Sequence, residues 1–140
     1  MKKSIVWILI LGLAFLLSCS AAGAEPAASG ACGTGLTWEV SSDGKTLTFG
    51  ISDGGSSASY TMADYSSPEE VPWKDYRSTV TAIWFEGGWK SKLQNIGDYA
   101  FFGFSNLESI KGNLNSEYSN LPGGISVIGK KSFSGCAKYK

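Results

Sequence analysis

Ile96-Gly97-Asp98-Tyr99-Ala100-Phe101-Phe102-Gly103-Phe104 returns as Ile128-Gly129-Lys130-Lys131-Ser132-Phe133-Ser134-Gly135-Cys136, starting 32 residues later. Isoleucine, glycine, a small residue, phenylalanine and a second glycine keep the same offsets in both copies. Self-similarity at a fixed spacing is the signature of stacked repeats, in which no unit buries its apolar face alone. Proteins built this way bind through a surface and seldom carry chemistry in the repeats.

Upstream, Leu36, Trp38 and Val40 alternate with polar residues, and so do Leu47, Phe49 and Ile51. Ser41-Ser42-Asp43-Gly44-Lys45 between them has turn chemistry, which predicts a β-hairpin with one buried face. Ser52 to Ser59 reads as a loop, and Tyr60-Thr61-Met62 as a short strand. Pro72 is placed to start a helical turn through Trp73 to Arg77. Val80 to Phe85 reads as a strand, and Gly97 to Phe101 is helix-compatible. Pairing Ile83-Trp84-Phe85 with Ile110-Lys111-Gly112 stacks Ile83 on Ile110 in the core. It sets Trp84 beside Lys111 on the outer face. Asn113 to Asn120 reads as a polar insertion, and Leu121-Pro122-Gly123-Gly124 as the turn into the second copy.

The first residues have a different character. Lys2 and Lys3 precede an apolar run from Ile5 to Leu17, 13 residues long, which suits a signal peptide better than a membrane span. Leu16-Leu17-Ser18-Cys19 resembles the bacterial lipoprotein cleavage box, which implies lipidation of Cys19. The competing reading is an ordinary signal peptide cut at Ala22 or Ala24. More than one acyl chain on Cys19 would anchor the chain stably. Residues 20–31 are rich in Ala, Ser and Gly and read as a flexible tether.

The chain is formally neutral, with 12 basic and 12 acidic residues. Without Lys2 and Lys3 it is slightly acidic, which leaves no electrostatic footprint for nucleic acid. It contains 0 histidines, so the commonest general base and metal ligand are missing. Glu69, Glu70, Asp75 and Glu86 cluster loosely, without the spacing of a glycosidase pair. Asp53-Gly54-Gly55 lacks the carboxylate series of a calcium loop and reads as a turn. These observations point to a protein that is not an enzyme and needs no cofactor or metal. Cys32 and Cys136 allow two readings: a disulfide in an exported chain, or Cys136 as a free apolar filler at the position Phe104 takes in the first copy.

Taken together, these residues resemble the BspA-like leucine-rich repeat family of bacterial surface proteins. The resemblance rests on Ile96-Gly97, Ala100-Phe101, Gly103, Asn106-Leu107 and Ile110 in one copy. In the other it rests on Ile128-Gly129, Phe133 and Gly135-Cys136. In the front part it rests on Cys32-Gly33, Leu36-Thr37-Trp38, Asp43-Gly44 to Thr48, and Pro72-Trp73 with Tyr76-Arg77. The chain departs from the family in its longer spacing, in Phe104 for the expected Cys, in Ser132 for Ala, and in the extra residues around Gly87-Gly88-Trp89.

The expected fold is therefore a β-rich α/β chain, an N-terminal β-hairpin module followed by a short leucine-rich-repeat solenoid. The expected organisation is a signal peptide at 1–19, a tether at 20–31, an N-terminal β module at 32–78 and repeats at 79–140. Since the sequence stops straight after the second copy, an open C-terminal edge is expected, able to add a strand from a partner or another copy. The resemblance implies a non-catalytic lipoprotein of the cell envelope, at the outer membrane or cell surface, that adheres to host or neighbouring-cell proteins. The contact candidates are Trp84, Lys111 and Trp89. An outward Trp gives large contact area at small entropic cost. Trp84 could instead pack under the Gly87–Lys92 insertion, and Trp89 sits on a loop expected to be exposed. Two other readings stand beside protein binding: carbohydrate binding through Trp84 and Trp89, and a structural, self-assembling envelope component.

Overall fold

Apolar residues at every second position, split by an Asp-Gly turn, pair β3 (Leu36–Val40) with β4 (Thr46–Ile51) as an antiparallel hairpin, with Trp38 opposite Phe49. The turn is tied by Asp43, whose carboxylate accepts from the Ser41 hydroxyl at 2.6 Å and the Lys45 amide at 3.0 Å. The computed structural model describes residues 24–112 and 121–140. Cys19, the rest of the signal segment, and the insertion read at Asn113–Asn120 lie outside the described residues.

The hairpin does not stand apart from the repeats. β4 pairs in parallel with β6 (Ala82–Phe85), and β6 with β8 (Ser109–Lys111), Ile83 opposite Ile110 and Trp84 opposite Lys111. With β1 (Ala28–Ala31) on β3, this makes a five-stranded sheet in the order β1-β3-β4-β6-β8. β1 is a correction: the end of the stretch read as a flexible tether is an ordered strand. Strand pairing is made by the backbone, which small residues do not impede. Gly30 also leaves room for the Trp38 indole, since a Cβ there would lie 3.1 Å from its Nε1.

Two short ladders run along the other side of the chain. β2 (Gly33–Thr34) pairs with β5 (Thr61–Met62), and β7 (Asn95–Ile96) pairs in parallel with β9 (Val127–Ile128). The second correction concerns helix: the expected α component is replaced by 3₁₀ turns at Pro68–Glu70, Lys74–Tyr76 and Gly88–Lys92, and no α-helix occurs among the described residues. The segment from Gly97 makes turns and no continuous helix, because every second amide bonds to the next copy while Ala100 and Phe102 between them donate to the Gly97 and Tyr99 carbonyls.

That stacking explains the repeated phrase. Tyr99, Phe101 and Gly103 amides donate to the carbonyls of Lys130, Ser132 and Ser134 at 2.9, 2.8 and 2.8 Å. Tyr99 and Lys131 occupy the same repeat position, and both hold a left-handed backbone with φ of 57° and 53°. Gly129 sits where any Cβ would lie 2.5 Å from the Asp98 amide nitrogen. The recurring glycine is therefore a condition for the two copies to touch. Phe101 packs on Phe133, its counterpart, with centroids 5.3 Å apart.

An earlier rung was not expected. The Lys130 amide bonds Asp98 Oδ1 at 2.6 Å, and the Asp98 amide bonds Asp64 Oδ1 at 3.0 Å. Met62-Ala63-Asp64-Tyr65 thus serves the first copy as Ile96-Gly97-Asp98-Tyr99 serves the second. Gly97 lies so close that a Cβ would sit 1.9 Å from the Ala63 carbonyl oxygen. The Asn95 side chain fastens this rung, accepting from the Met62 amide at 2.9 Å and donating to its carbonyl at 3.0 Å.

One core joins all of these pieces. Trp73 is fully buried, and its ring meets Trp38 at 5.5 Å, Phe49 at 5.1 Å and Phe101 at 6.4 Å. Its Nε1 donates to the Ala100 carbonyl at 2.7 Å. The second polar anchor is Asp53. Its carboxylate accepts from the Ser57 hydroxyl and amide, the Gly55 amide at 3.0 Å and the buried Tyr60 hydroxyl at 2.6 Å. The bonds from Ser57 and Tyr60 hold its pKa well below the usual carboxylate range. Cys32 and Cys136 are both free, and burial pushes the Cys32 thiol up to about 12, so it forms little thiolate for disulfide exchange.

Two outcomes are expected. Trp73→Ala removes the ring that joins hairpin and repeats and should cost about 3–5 kcal/mol. Trp73→Phe should cost about 1–3 kcal/mol, because the Ala100 carbonyl loses its buried partner. Chemical denaturation measures both, and a cost for either below its range would show that Trp73 is not the joint. Asp53 is an acid sensor of stability. Its depressed folded pKa means that its contribution is complete above its unfolded value of about 3.9 and declines as pH falls below it. Melting temperatures of the parent and Asp53→Asn should therefore differ at neutral pH and converge in acid; a constant difference would refute the assignment.

Candidate functional site

The outer face of the sheet is where side chains are free of core duties. Register places Ser29, Glu39, Thr48, Trp84 and Lys111 in one row across β1, β3, β4, β6 and β8. Side chains alternate along a strand, so Ile83 and Phe85 go to the core while Trp84 stays outside. Trp84 is half-buried, and Lys111 Nζ lies 5.5 Å from its ring centroid. That is cation–π distance. The pair holds the Lys111 charge at the surface over a large aromatic face. Trp84 Nε1 is enclosed and has no hydrogen-bond partner among the described residues.

The expected neighbour at Trp89 is different. Trp89 is only 4% exposed, and its ring packs edge-on against Tyr60 with centroids 5.6 Å apart. The exposed loop expected there is corrected: the Gly88–Lys92 turn folds inward and buries its own Trp. Tyr60 and Leu93 form a bridge beneath it, so the turn is held down on both sides. Trp84 and Trp89 therefore do not present two open ring faces. Lys111 and Trp84 are brought together, and Trp89 stands apart from them in the core.

Two clefts open beside this row. One, of about 590 Å³, is walled by Gly54, Gly55, Gly87, Gly88 and Trp89, with Lys92 at its side. The other, of about 430 Å³, lies among Ser29, Thr37, Glu39, Thr48 and Glu86. They meet at Gly50, Ile51 and Glu86. Glu86 continues the outer row of β6, since its amide bonds the Phe49 carbonyl at 3.1 Å. Gly50, opposite Thr37, leaves the sheet without a side chain there. The Lys92 ammonium bonds the Gly55 and Ser57 carbonyls, both at 2.9 Å, and so braces the two walls.

Sequence reading found Trp84 and Lys111 through the strand alignment but gave Glu86 no binding role and passed over Glu39. The signal for Glu39 was available in the hairpin, where it alternates outward between Trp38 and Val40. The clefts had no local signal, since a turn near Gly54 and a turn near Gly87 meet only through the parallel pairing of β4 and β6. Among the other carboxylates, Glu69 pairs with Arg77 at 3.1 Å and Glu70 accepts from the Ser66 amide at 3.0 Å. Both are fastening contacts within the connection before β6.

No protein-family model and no curated protein matches the chain. A solved structure does: a leucine-rich repeat protein from Eubacterium ventriosum ATCC 27560, with a TM-score of 0.51 and 17% identity, covering 77% of this chain. The matched part is 24% of that protein, so this chain spans about a quarter of its length. Likeness at this identity speaks for fold and not for activity, and on that ground the chain has the fold of a leucine-rich repeat protein.

Proposed function

We propose that this chain is a non-catalytic binding protein whose outer sheet face takes a protein ligand, with Trp84 and Lys111 at the contact. The observation that carries the reading is the Trp84–Lys111 pair, a large aromatic face with a charge above it on an otherwise small and polar surface. Tryptophan anchors of this kind carry much of the energy of protein contacts. The finer assignment is a BspA-like leucine-rich-repeat lipoprotein with a short solenoid, exported and anchored through Cys19, acting in adhesion at the cell surface or outer membrane. Its support is the Leu16-Leu17-Ser18-Cys19 box and the family pattern in the repeats. Carbohydrate binding through two open Trp faces has less support, because Trp89 is packed on Tyr60.

A second reading, self-assembly, is favoured by β9. Among the described residues it pairs only with β7, and Val127 and Ile128 are 58% and 56% exposed. An apolar edge strand is a template for strand addition.

Expression of the full chain in a bacterial host, with labelled fatty acid and an array of purified cell-surface and matrix proteins, tests the first reading. Cys19→Ser should abolish fatty-acid incorporation. Trp84→Ala should keep it and weaken capture about tenfold or more, the loss typical of an interface anchor. Capture indifferent to Trp84 and Lys111 would refute the contact face. For the second reading, sedimentation velocity should show assembly that grows with concentration and vanishes in Ile128→Lys. A monomer at every concentration removes it.

A further inference from the structure

The groove formed by the two clefts has a chemistry of its own, separate from the Trp84–Lys111 pair. Its floor is mostly backbone, with the Thr37 hydroxyl 3.3 Å from where a Gly50 Cβ would stand. Gly50 carries no side chain at the centre, and a Cβ added to Gly88 or Gly54 would meet nothing within 4 Å. Glycine at such positions marks a place where another backbone can come close.

One wall offers a donor. Trp89 is nine-tenths buried and lines the cleft, and its Nε1 makes no hydrogen bond among the described residues. Gly87 lies directly against it, a Cβ there falling 3.1 Å from that nitrogen, and Gly87 itself lines the cleft. The indole edge therefore faces the groove with an N–H to give, while the ring face is occupied by Tyr60. That arrangement suits a carbonyl acceptor and offers no flat platform for a sugar ring.

The other wall demands a cation. Glu39 and Glu86 are both exposed and border the same cleft, and neither forms an ion pair among the described residues. The ammonium nearest in the lining, Lys92, is engaged by two carbonyls. An anionic ligand would be repelled here, and a guanidinium would find carboxylates it can meet in two-point fashion.

We infer that this groove binds an extended peptide segment carrying an arginine or lysine. A backbone carbonyl accepts from Trp89 Nε1, the main chain lies over Gly50 and Gly88, and the basic side chain lies toward Glu86 and Glu39. The inference rests on the reading of the outer face as a protein-binding surface, and supplies the class of segment that surface takes.

The test is nuclear magnetic resonance of the isotope-labelled full chain in mild non-ionic detergent, following the indole N–H signals. The probes are two pools of terminally blocked octapeptides, randomised except for a central arginine in one and a central glutamate in the other. The arginine pool should shift the signal that Trp89→Phe deletes, and the glutamate pool should not. Glu86→Gln removes a charge-assisted contact and should weaken the response about tenfold. Gly88→Leu fills the groove from a position with free space and should abolish it, with the thermal transition of both variants kept. The inference is overturned if neither pool moves the Trp89 signal, if both move it equally, or if the variants respond as the parent does. It is overturned too if glucose, galactose or N-acetylglucosamine moves the signal and the peptides do not. Protein capture that depends on Trp84 while the peptide pools are silent would sink this inference alone and leave the surface reading standing.

Discussion

Trp73 holds the molecule together. It comes from an irregular connection, yet its ring touches hairpin residues on one side and a repeat residue on the other. Its single polar atom is spent on Ala100, inside the repeated phrase. Phe49, Phe85 and Phe101 continue the contact through the core. A short stack of repeats has little apolar area to bury by itself. Here the front hairpin adds Leu36, Trp38, Val40, Leu47 and Phe49 to the same core, and the sheet runs without a break from β1 to β8.

The proposed contact face follows from that arrangement by elimination. Once Ile83, Phe85 and Ile110 are committed to the core, register leaves Trp84, Glu86 and Lys111 outside. The repeats then fix spacing, because each copy bonds to the next through backbone amides and leaves outward side chains free. The groove arises at the side of the sheet where the Asp53 turn and the Gly88–Lys92 turn are braced together by Lys92. Its shape is set by backbone, and its chemistry by one indole edge and two carboxylates.

Much of this was legible in advance, for reasons that differ by residue. The hairpin was readable because alternation and an Asp-Gly turn are local signals. The Ile83–Ile110 and Trp84–Lys111 pairs were readable because period-two patterning carries across a parallel ladder. Trp89 was misread because flanking glycines signal a loop and say nothing of which way it folds. The tether was misread at Ala28–Ala31 because edge pairing depends on what lies beside the strand. Met62-Ala63-Asp64-Tyr65 was overlooked as a rung, although Asp-Tyr stands at the matching place in Asp98-Tyr99. Its Ala replaces the glycine that made the other copies visible.

The sequence by itself determined which faces are apolar, where the chain must turn, and that two segments are copies. Those properties depend on neighbours a few residues away, and on glycines demanded by close approach. The tertiary structure alone decided which glycine turns meet, which tryptophan is covered, and which carboxylates share a cleft. Such choices are made by contacts between segments tens of residues apart, where the register of a parallel sheet, and no local preference, sets who faces whom.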